Sequence, residues 1–485
     1  MLSLKPPVVA ENVRNTERTI SSTRPEISPI DAILNANPVR PRQLVIVAVV
    51  LLTLIIDGLD TQLLSLAAPL ILSEWSLPRA QFGTAMAAAL VGMSVGASAG
   101  GWLGDRLGRK IVLIFSALLF GAATVAASVT HNSTEMAVAR FIGGIGFGAA
   151  QPNGIALVTE WLPQRARARA VGLLSVGTPL GGMVGAGALI WLLPLYGWRS
   201  TFVACGVLTV VMAALMIGGL PESIGYLVAR GKATRVKGAL RKIFGPVPRV
   251  TQVNLAAAAA VSRETHEAGI FTRANLRLNI GVWLIFVGMC FVAYAIAAWA
   301  PVLLTTSGFT LTQALRASLA FNVSAVITAI VTGFVLGRVG SRALILITCI
   351  GTLGSVALMA AAVQVANGTV TPTLLGAVTL AAAGTGGFTG AAIASVYAVL
   401  ASSYPVSCRS SGIGLGMMMG RLGAIASTFS GGALLSVEGR SSTPFFLALG
   451  LFGIIALIGT LIVDRHVPAS RHANRNGPDP QTAAR

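Results

Sequence analysis

Residues 55–69 read IIDGLDTQLLSLAAP and place two aspartates inside an apolar segment that runs from Leu44 to Leu72. The segment is long enough to cross a bilayer as a helix, and Asp57 and Asp60 are its only ionisable residues. Because they are three positions apart, their side chains lie on one face of a helix. A carboxylate in hydrocarbon costs a few kcal/mol unless it is protonated, paired or facing water, so the two aspartates predict a polar path through the protein.

The composition is that of a polytopic membrane protein. Of the 485 residues, 54% are hydrophobic and only 11% are charged, and the mean hydropathy is +0.78. A net charge of +19 would also suit a nucleic-acid-binding protein, but the basic residues form no single patch along the chain. The cysteines and histidines show no spacing typical of a disulfide framework or a metal site. We therefore expect no enzymatic activity, no cofactor, no metal and no nucleic-acid partner.

Hydropathy and turn signals predict an all-α membrane protein with twelve transmembrane helices in two pseudo-symmetric six-helix bundles. The predicted spans are residues 44–72, 80–102, 111–130, 135–161, 168–194, 200–220, 278–304, 312–336, 343–365, 371–401, 410–436 and 443–463. The corresponding domains are a disordered cytoplasmic N-terminal tail (1–43), an N-terminal bundle (44–220), a cytoplasmic central loop (221–277), a C-terminal bundle (278–464) and a cytoplasmic C-terminal tail (465–485).

The distribution of Lys and Arg predicts the orientation. If the N-terminus is inside, the inner segments hold 29 of the 35 basic residues and the outer loops hold four. By the positive-inside rule both termini are then cytoplasmic, and we expect the inner membrane of a bacterium. The remaining two basic residues, Arg140 and Arg421, fall inside predicted spans.

The two halves are related in sequence. GWLGDRLGRK at residues 101–110 aligns with GFVLGRVGSR at 333–342, and the junction of spans four and five aligns with that of spans ten and eleven. Related halves of this kind place a substrate site at their interface near the midplane of the membrane, with transport by rocking about it.

These motifs resemble those of a known family. GWLGDRLGRK resembles the loop signature of the major facilitator superfamily, and PESIGYLV at 221–228 resembles the segment that follows helix six in many members. Within that superfamily, DGLDTQ of helix one, RFIGGIGFGAAQPNGIALVTEWLP of helix four and YPVSCRSSGIGLGMMMGRLGAI of helix eleven resemble the aromatic acid:proton symporters. The resemblance covers residues 44–464 and implies the major facilitator fold, with proton-driven uptake of a benzoate-like or hydroxybenzoate-like anion.

The loop motif at 101–110 also supplies candidate gating residues. Its glycines, Gly101, Gly104 and Gly108, would let helices two and three approach closely. We expect a charged network that is closed when the cytoplasmic side is shut, formed by Asp105, Arg106, Glu160 and Arg167. A purely topological role for the basic residues is the alternative. The second-half counterpart of Asp105 is Gly337, to which no gating role is carried over.

Helix geometry places three buried charges at similar depths. At about 1.5 Å per residue, Asp57 and Asp60 lie roughly 20 and 24 Å from the inner start of helix one, and Arg140 lies roughly 8 Å below the outer start of helix four. A pair between Arg140 and one of the aspartates would offset the cost of both charges. Protonation of the aspartate would then release the arginine and couple proton binding to rearrangement or anion capture. A static structural ion pair is the alternative.

Arg421 is the candidate for binding the substrate carboxylate. It lies roughly 18 Å into helix eleven, close to the midplane. Helices seven to twelve contain no acid before Asp464 at the very end, so its partner must come from the other half or from the substrate. A planar guanidinium can hold a carboxylate through two hydrogen bonds, which favours the substrate over an aspartate of helix one.

An aromatic substrate also needs apolar walls and partners for ring hydroxyls. The candidates are Tyr294, Trp299 and Phe388 as walls, with the methionine run 417–419, and Gln151, Asn153 and Asn322 as hydroxyl partners. Ordinary helix packing is the alternative for each.

Other functions remain open at this point. They are symport of another organic anion, such as a sugar acid or a dicarboxylate, drug or organic-cation antiport, and membrane sensing. Arginines inside the membrane favour an anion over a cation, and residues 221–277 are too few for the output domain of a sensor. The chain has no GxxxxGK[ST] loop, so we expect the proton gradient to be the driving force. A monomer is expected.

Overall fold

The computed structural model describes residues 29–245, 271–366, 370–404, 409–436 and 442–467, and in these ranges it contains helices and no strand. Within these ranges, ten helices are long and apolar enough to cross a membrane. One of them, Gln164–Gly219, is two helices that meet at Gly197, where a backbone φ of 71° breaks the helix. Arg409–Leu434, which is less apolar because it carries Arg421 and several glycines, completes the twelve. The predicted fold class is confirmed.

The spans are labelled in chain order. They are α1 (Pro41–Trp75), α2 (Arg79–Leu107), α3 (Arg109–Ala127), α4 (Ser133–Trp161), α5 (residues 164–196), α6 (residues 198–219), α7 (Leu276–Thr306), α8 (Leu311–Val339), α9 (Ser341–Ala366), α10 (Pro372–Ser403), α11 (Arg409–Leu434) and α12 (Thr443–Ile462). Because successive spans alternate in direction, α1 begins and α12 ends at the same face of the protein, here called the terminal face. The opposite face is called the distal face.

Glycines set the contact between α2 and α4. Gly92, Gly96, Gly100 and Gly104 are spaced by four and form one stripe along α2. A Cβ atom at Gly96 would lie 2.1 Å from the carbonyl oxygen of Ile145 on α4, and the other three glycines meet α4 just as closely. Two helix backbones approach this far only where side chains are missing, so the stripe fixes α2 against α4.

The predicted role of the motif glycines is corrected by these contacts. Gly101 points away from the stripe, and a Cβ atom there would have no neighbour within 4 Å. Gly104 faces Asn153 on α4 and not α3. Gly108 has a φ of 105°, which a residue with a side chain rarely adopts, and it forms the turn between α2 and α3.

The apolar core is shared between the bundles in one half of the protein and divided in the other. In the distal half a single core joins both bundles, with Leu63 and Phe82 from the first and Trp299, Phe309 and Phe445 from the second. In the terminal half each bundle has its own core, which includes Val50, Leu157 and Leu220 in the first and Phe286, Val396 and Leu400 in the second. The bundles are therefore joined at the distal half and separate in the terminal half.

The α2–α11 seam shows the same distal closure. A Cβ atom at Gly83 would lie 2.3 Å from the carbonyl oxygen of Phe429, so the two helices touch near the distal face. Arg79 Nη1 donates a 3.0 Å hydrogen bond to the carbonyl oxygen of Leu435 there. These contacts join the start of α2 to the end of α11.

The predicted disorder of residues 1–43 is wrong for the end of that segment. Residues Pro29–Ala36 form a helix, and Leu34 is buried in the terminal core of the first bundle. The central loop also contains helices, Ile224–Ala229 and Ala233–Phe244, which bury Val236 and Leu240 in that core. Both segments fold because they supply apolar side chains that cover the end of the bundle. The rest of the N-terminal tail, residues 1–28, lies outside the described residues, as do 246–270 and 468–485.

Gly100→Ala should destabilise the protein, because the new Cβ atom would lie 2.4 Å from the Cβ atom of Ala149. Overpacking of this kind costs about 1–3 kcal/mol. Gly101→Ala, one position along, is the matched control, since nothing lies within 4 Å of its Cβ position. The measurement is the Tm of the detergent-solubilised protein. A similar Tm for the two variants would show that the stripe does not limit the helix contact.

Candidate functional site

A cavity lies where the two bundles meet, near the middle of the spans. Its lining atoms enclose about 700 Å³, part of which is open to solvent. The volume that the centre of a water molecule can occupy is only about 80 Å³, so in this arrangement the cavity is small compared with typical small-molecule pockets of about 300–1,000 Å³. The lining comes from both halves and includes Asp60, Gln62, Ser65, Met86, Leu90, Met93, Phe120, Arg140, Phe147, Tyr294 and Thr428. The site between related halves that the sequence predicts is therefore present as a cavity with apolar walls and a few polar groups.

A buried ion pair lies at the edge of this cavity. Arg140 Nη1 on α4 is 2.5 Å from Asp60 Oδ2 on α1, and the two side chains are only 6% and 2% exposed. The sequence predicted a pair between Arg140 and either Asp57 or Asp60, and in the structure the partner is Asp60. The remaining polar atoms, Arg140 Nε and Nη2 and Asp60 Oδ1, are buried without a hydrogen-bond partner among the described protein atoms. The pair thus keeps two donors and one acceptor that no described protein atom satisfies.

Asp57 is buried but differs from Asp60 in its surroundings. It is 2% exposed, its Oδ2 atom has no hydrogen-bond partner among the described protein atoms, and no basic nitrogen of those residues forms a salt bridge with it. It lies at the crossing of α1 and α5, where the neighbouring Gly58 meets the carbonyl oxygen of Thr178. A charged carboxylate in this position has no compensating cation, so Asp57 and Asp60 are not equivalent.

Arg421, the predicted binder of the substrate carboxylate, is not among the residues that line the cavity but contacts one of them, Met93. Its Nη1 atom donates a 3.3 Å hydrogen bond across the bundle interface to the carbonyl oxygen of Met93, whose residue lines the cavity. No acidic side chain in the described part of the chain forms a salt bridge with Arg421, so the alternative pair with an aspartate of α1 is not formed. Thr428, seven residues further along α11, lies on the same helix face and lines the cavity about two turns away.

One of the candidate ring contacts lines the cavity, and the others, Trp299, Phe388, the methionine run 417–419, Gln151, Asn153 and Asn322, do not. Tyr294 lines it. Trp299 is fully buried in the distal core, where its Nε1 atom donates a 3.0 Å hydrogen bond to the Thr428 carbonyl oxygen. The ring of Phe388 packs against Gly351 of α9 inside the second bundle. Trp299 and Phe388 are thus packing residues here and not the predicted walls of the site.

The three predicted hydroxyl partners also lie elsewhere. Asn153 donates 2.8 Å hydrogen bonds to the carbonyl oxygens of Gly100 and Ala149, so it serves the α2–α4 contact. Asn322 accepts a 3.0 Å hydrogen bond from Gln62 Nε2, which joins α8 to α1 next to the cavity. Gln151 is absent from the lining.

The structure supplies polar lining residues that sequence reasoning missed. Gln62, Ser65 and Thr428 all face the cavity. Thr428, seven residues after Arg421, shares its helix face, so helical spacing was an available signal for that residue. Gln62 and Ser65, two and five residues after Asp60, are not on the Asp60 face of α1, and spacing gave no signal for them.

The charged network at the terminal face contains two of the predicted residues, Asp105 and Glu160, joined by Arg109, which was not predicted. Glu160 Oε1 is paired with Arg109 Nη1 at 2.6 Å, and Asp105 lies 3.5 Å from Arg109 Nη2. Arg106, the predicted partner, instead stacks over Trp102 at 4.0 Å. Arg167 donates a 3.0 Å hydrogen bond to the Leu162 carbonyl oxygen. Arg109 therefore takes the place that the sequence analysis gave to Arg106, because it begins α3 and faces the end of α4.

The segment after α6 completes this network. Glu160 Oε2 accepts a 2.5 Å hydrogen bond from the Ser223 hydroxyl. Glu222 Oε1 accepts a 3.0 Å hydrogen bond from the backbone N–H of Lys110, and the Trp161 indole donates to the Glu222 carbonyl oxygen at 3.2 Å. Glu222 and Ser223 belong to the PESIGYLV motif, so the two sequence motifs of the first half meet in space.

A membrane protein with two helical bundles, a cavity between them and buried charges at its edge belongs to the class of secondary transporters. The chain is a member of the Major Facilitator Superfamily, whose family model matches residues 50–385. It is 31% identical to the 4-hydroxybenzoate transporter PcaK of Pseudomonas aeruginosa, over 91% of this chain and 97% of that protein. It is 29% identical to the gallate transporter of Pseudomonas putida, over 90% of this chain and 96% of that protein.

A solved structure supports the fold. The partially occluded inward-open form of the xylose transporter XylE of E. coli superposes with a TM-score of 0.65 and 19% identity, covering 86% of this chain and 98% of that one. The resemblance to aromatic acid transporters of the major facilitator superfamily, first drawn from the motifs, is thereby confirmed.

Asp60→Asn should lower the amount of stable protein in the membrane as well as uptake, because it leaves the buried Arg140 without a counter-charge. Removing one partner of a buried pair costs about 3–5 kcal/mol. The double variant Asp60→Asn/Arg140→Gln removes both charges and should restore stability, measured as Tm, without restoring accumulation. If the double variant were no more stable than the single one, the two charges would not stabilise each other.

Arg109→Gln should slow turnover and lower the Tm more than Arg106→Gln, since only Arg109 is paired with Glu160. The two variants remove the same charge three residues apart and so control for each other. Initial uptake rates and Tm values for both are the measurement, and a larger effect of Arg106→Gln would contradict the observed network.

Proposed function

We propose that the protein takes up an aromatic carboxylate, such as a benzoate or a hydroxybenzoate, together with protons by alternating access. The observation that carries this proposal is Arg421, a guanidinium near the middle of the membrane that has no acidic partner among the described residues and lies beside the cavity. A substrate carboxylate would supply the missing anion through two charge-assisted hydrogen bonds. The relatives named above, which transport 4-hydroxybenzoate and gallate, support the same class of substrate.

The cavity walls favour an aromatic ring over the rival organic anions. Met86, Leu90, Phe120 and Phe147 present apolar surface, which suits a benzene ring better than a sugar acid or a short dicarboxylate. Gln62 and Thr428 are polar lining residues, and we assign them hydrogen bonds to ring hydroxyls of the substrate. An organic-cation antiporter would need an unpaired acid in the lining of the cavity, whereas Asp60, the acid in that lining, is paired with Arg140.

The orientation is part of the proposal. We place the terminal face in the cytoplasm, because nearly all basic residues of the loops lie on that side. The bundles, joined at the distal half and separate in the terminal half, then form an inward-facing arrangement in the inner membrane of a bacterium. No cofactor is involved, and the proton gradient supplies the driving force.

The buried pair explains how protons are coupled to uptake. In the outward-facing protein, protonation of Asp60 removes the charge that holds Arg140 and so frees its guanidinium. The substrate carboxylate then binds at Arg421, with its ring in the cavity. After the bundles rock to the inward-facing arrangement, the substrate and the proton leave, and the Asp60–Arg140 pair forms again as seen here. Asp57, one helical turn away, is a second proton site on the same path.

The test is uptake by the full-length protein in proteoliposomes. Labelled 4-hydroxybenzoate should accumulate when the lumen is alkaline relative to the bath, and glucuronate and succinate should compete poorly. Failure to accumulate the aromatic acid under a pH gradient would reject the function.

Arg421→Ala should reduce uptake by about 10–100-fold, the value expected for losing hydrogen bonds to a charged group, and Arg421→Lys should recover part of it. Arg316→Ala, an exposed arginine at the start of α8, is the matched control and should leave uptake unchanged. Normal uptake by Arg421→Ala would remove this residue from the binding site.

A further inference from the structure

We propose that Phe202 is a positioning residue for the Asp60–Arg140 pair, an inference that rests on the proposed function. Phe202 lies on α6, a third helix beside the α1 and α4 helices that carry the pair. The Cζ atom of Arg140 is 4.8 Å from the centre of the Phe202 ring, within cation–π distance. The ring is fully buried, so this contact is made away from water, where such interactions are strongest.

Arg140 needs a second contact to be held in place. Among the described protein atoms only its Nη1 atom is hydrogen-bonded, to Asp60, while Nε and Nη2 have no partner. A single hydrogen bond leaves a guanidinium free to turn about it. The face of an aromatic ring attracts the cation without consuming an N–H donor, so Phe202 fixes the group and leaves two donors available.

The ring of Phe202 is itself fixed from the distal face. Trp198, one helical turn earlier on α6, meets it edge to face, with ring centres 5.7 Å apart. The Trp198 indole donates a 2.6 Å hydrogen bond to Glu74 Oε2 at the end of α1. Arg199 stacks over the same indole, with its Cζ atom 4.3 Å from the ring centre, and forms a 2.7 Å salt bridge with Glu74 Oε1. A chain of contacts therefore runs from the distal face to the buried arginine.

The origin of this arrangement lies in Gly197. Its φ of 71° ends α5 and starts α6 directly before Trp198, which lets the chain turn back so that the first turns of α6 face α1 and α4. The other ionisable groups that face the pair are Asp57 on α1, the Cys205 thiol on α6 and Tyr294 on α7. None of these three forms a hydrogen bond or salt bridge with Arg140 in the described part of the chain, so the Phe202 ring supplies the second direct contact of the guanidinium.

The contact between Phe202 and Arg140 should affect one step of the transport cycle, the return of the empty carrier. The ion pair exists only when Asp60 has lost its proton, which is the state in which the empty carrier returns. Net uptake driven by a pH gradient includes that return step. Substrate counterflow, in which labelled substrate exchanges for unlabelled substrate across the membrane, cycles only the loaded and protonated carrier. Loss of the ring should therefore slow net uptake and spare counterflow.

The experiment compares Phe202→Leu with the wild-type full-length protein in proteoliposomes. We expect kcat for pH-gradient-driven uptake of 4-hydroxybenzoate to fall about tenfold, with KM and the counterflow rate changed less than about twofold. Phe202→Tyr, which keeps the ring face, should restore net uptake. Phe445→Leu, which removes a buried ring from the distal core of the second bundle, is the matched control and should not change the ratio of net uptake to counterflow.

The ratio is measured within each preparation, so it does not depend on how much of a variant folds. A wild-type ratio in Phe202→Leu, whether or not both activities fall, would overturn the positioning role, because a purely structural residue affects net uptake and counterflow alike. Failure of the wild-type protein to accumulate the aromatic acid would instead overturn the proposed function, and the two failures are thus distinguishable.

Discussion

The Asp60–Arg140 pair is the interaction on which the rest of the site depends. Two opposite charges at 2.5 Å, almost fully removed from water, are tolerated only because each compensates the other. The surrounding sequence serves this arrangement. The apolar α1 places the aspartate in the middle of the membrane, and the glycine stripe of α2 fixes the position of α4. The break at Gly197 orients α6 so that the Phe202 ring packs against Arg140.

Two different kinds of contact hold the two faces of the protein. The distal half is closed by a common apolar core and by the close approach of α2 and α11. At the terminal face the salt bridges of Arg109 with Glu160 and Asp105 lie within the first bundle, and Glu160 also binds Ser223 in the segment after α6. Asp105 is 74% exposed there, so this acidic group remains available for contacts in another arrangement of the bundles.

Much of the fold was predictable from sequence, because hydropathy and charge distribution act locally. The twelve spans and the division into halves follow from them, and depth along a helix was enough to match Arg140 with the aspartates of α1. The choice of Asp60 over Asp57 was not predictable, since it depends on the rotation of α1 against α4. Arg109 was missed in favour of Arg106 for the same reason: both are basic and three residues apart, and only the orientation of α3 decides which meets Glu160.

The ring-binding residues were the hardest to predict. Trp299, Phe388 and Asn153 have suitable chemistry, but helix packing uses them, and their sequence neighbourhood does not reveal which helix face is turned to the cavity. Phe202 carried no signal at all. Its importance comes from a residue 62 positions earlier in the chain, and a buried phenylalanine is common in any membrane helix.

The shared distal core has a further consequence for the energetics of turnover. To open towards that face, the protein must separate apolar side chains such as Leu63 and Phe82 from those of the other bundle, and part of this surface becomes hydrated. Hydration of apolar surface raises the heat capacity. The free-energy difference between the two arrangements should therefore vary with temperature along a curve and not a straight line. At low temperature the arrangement with the distal side closed should lose part of its free-energy advantage.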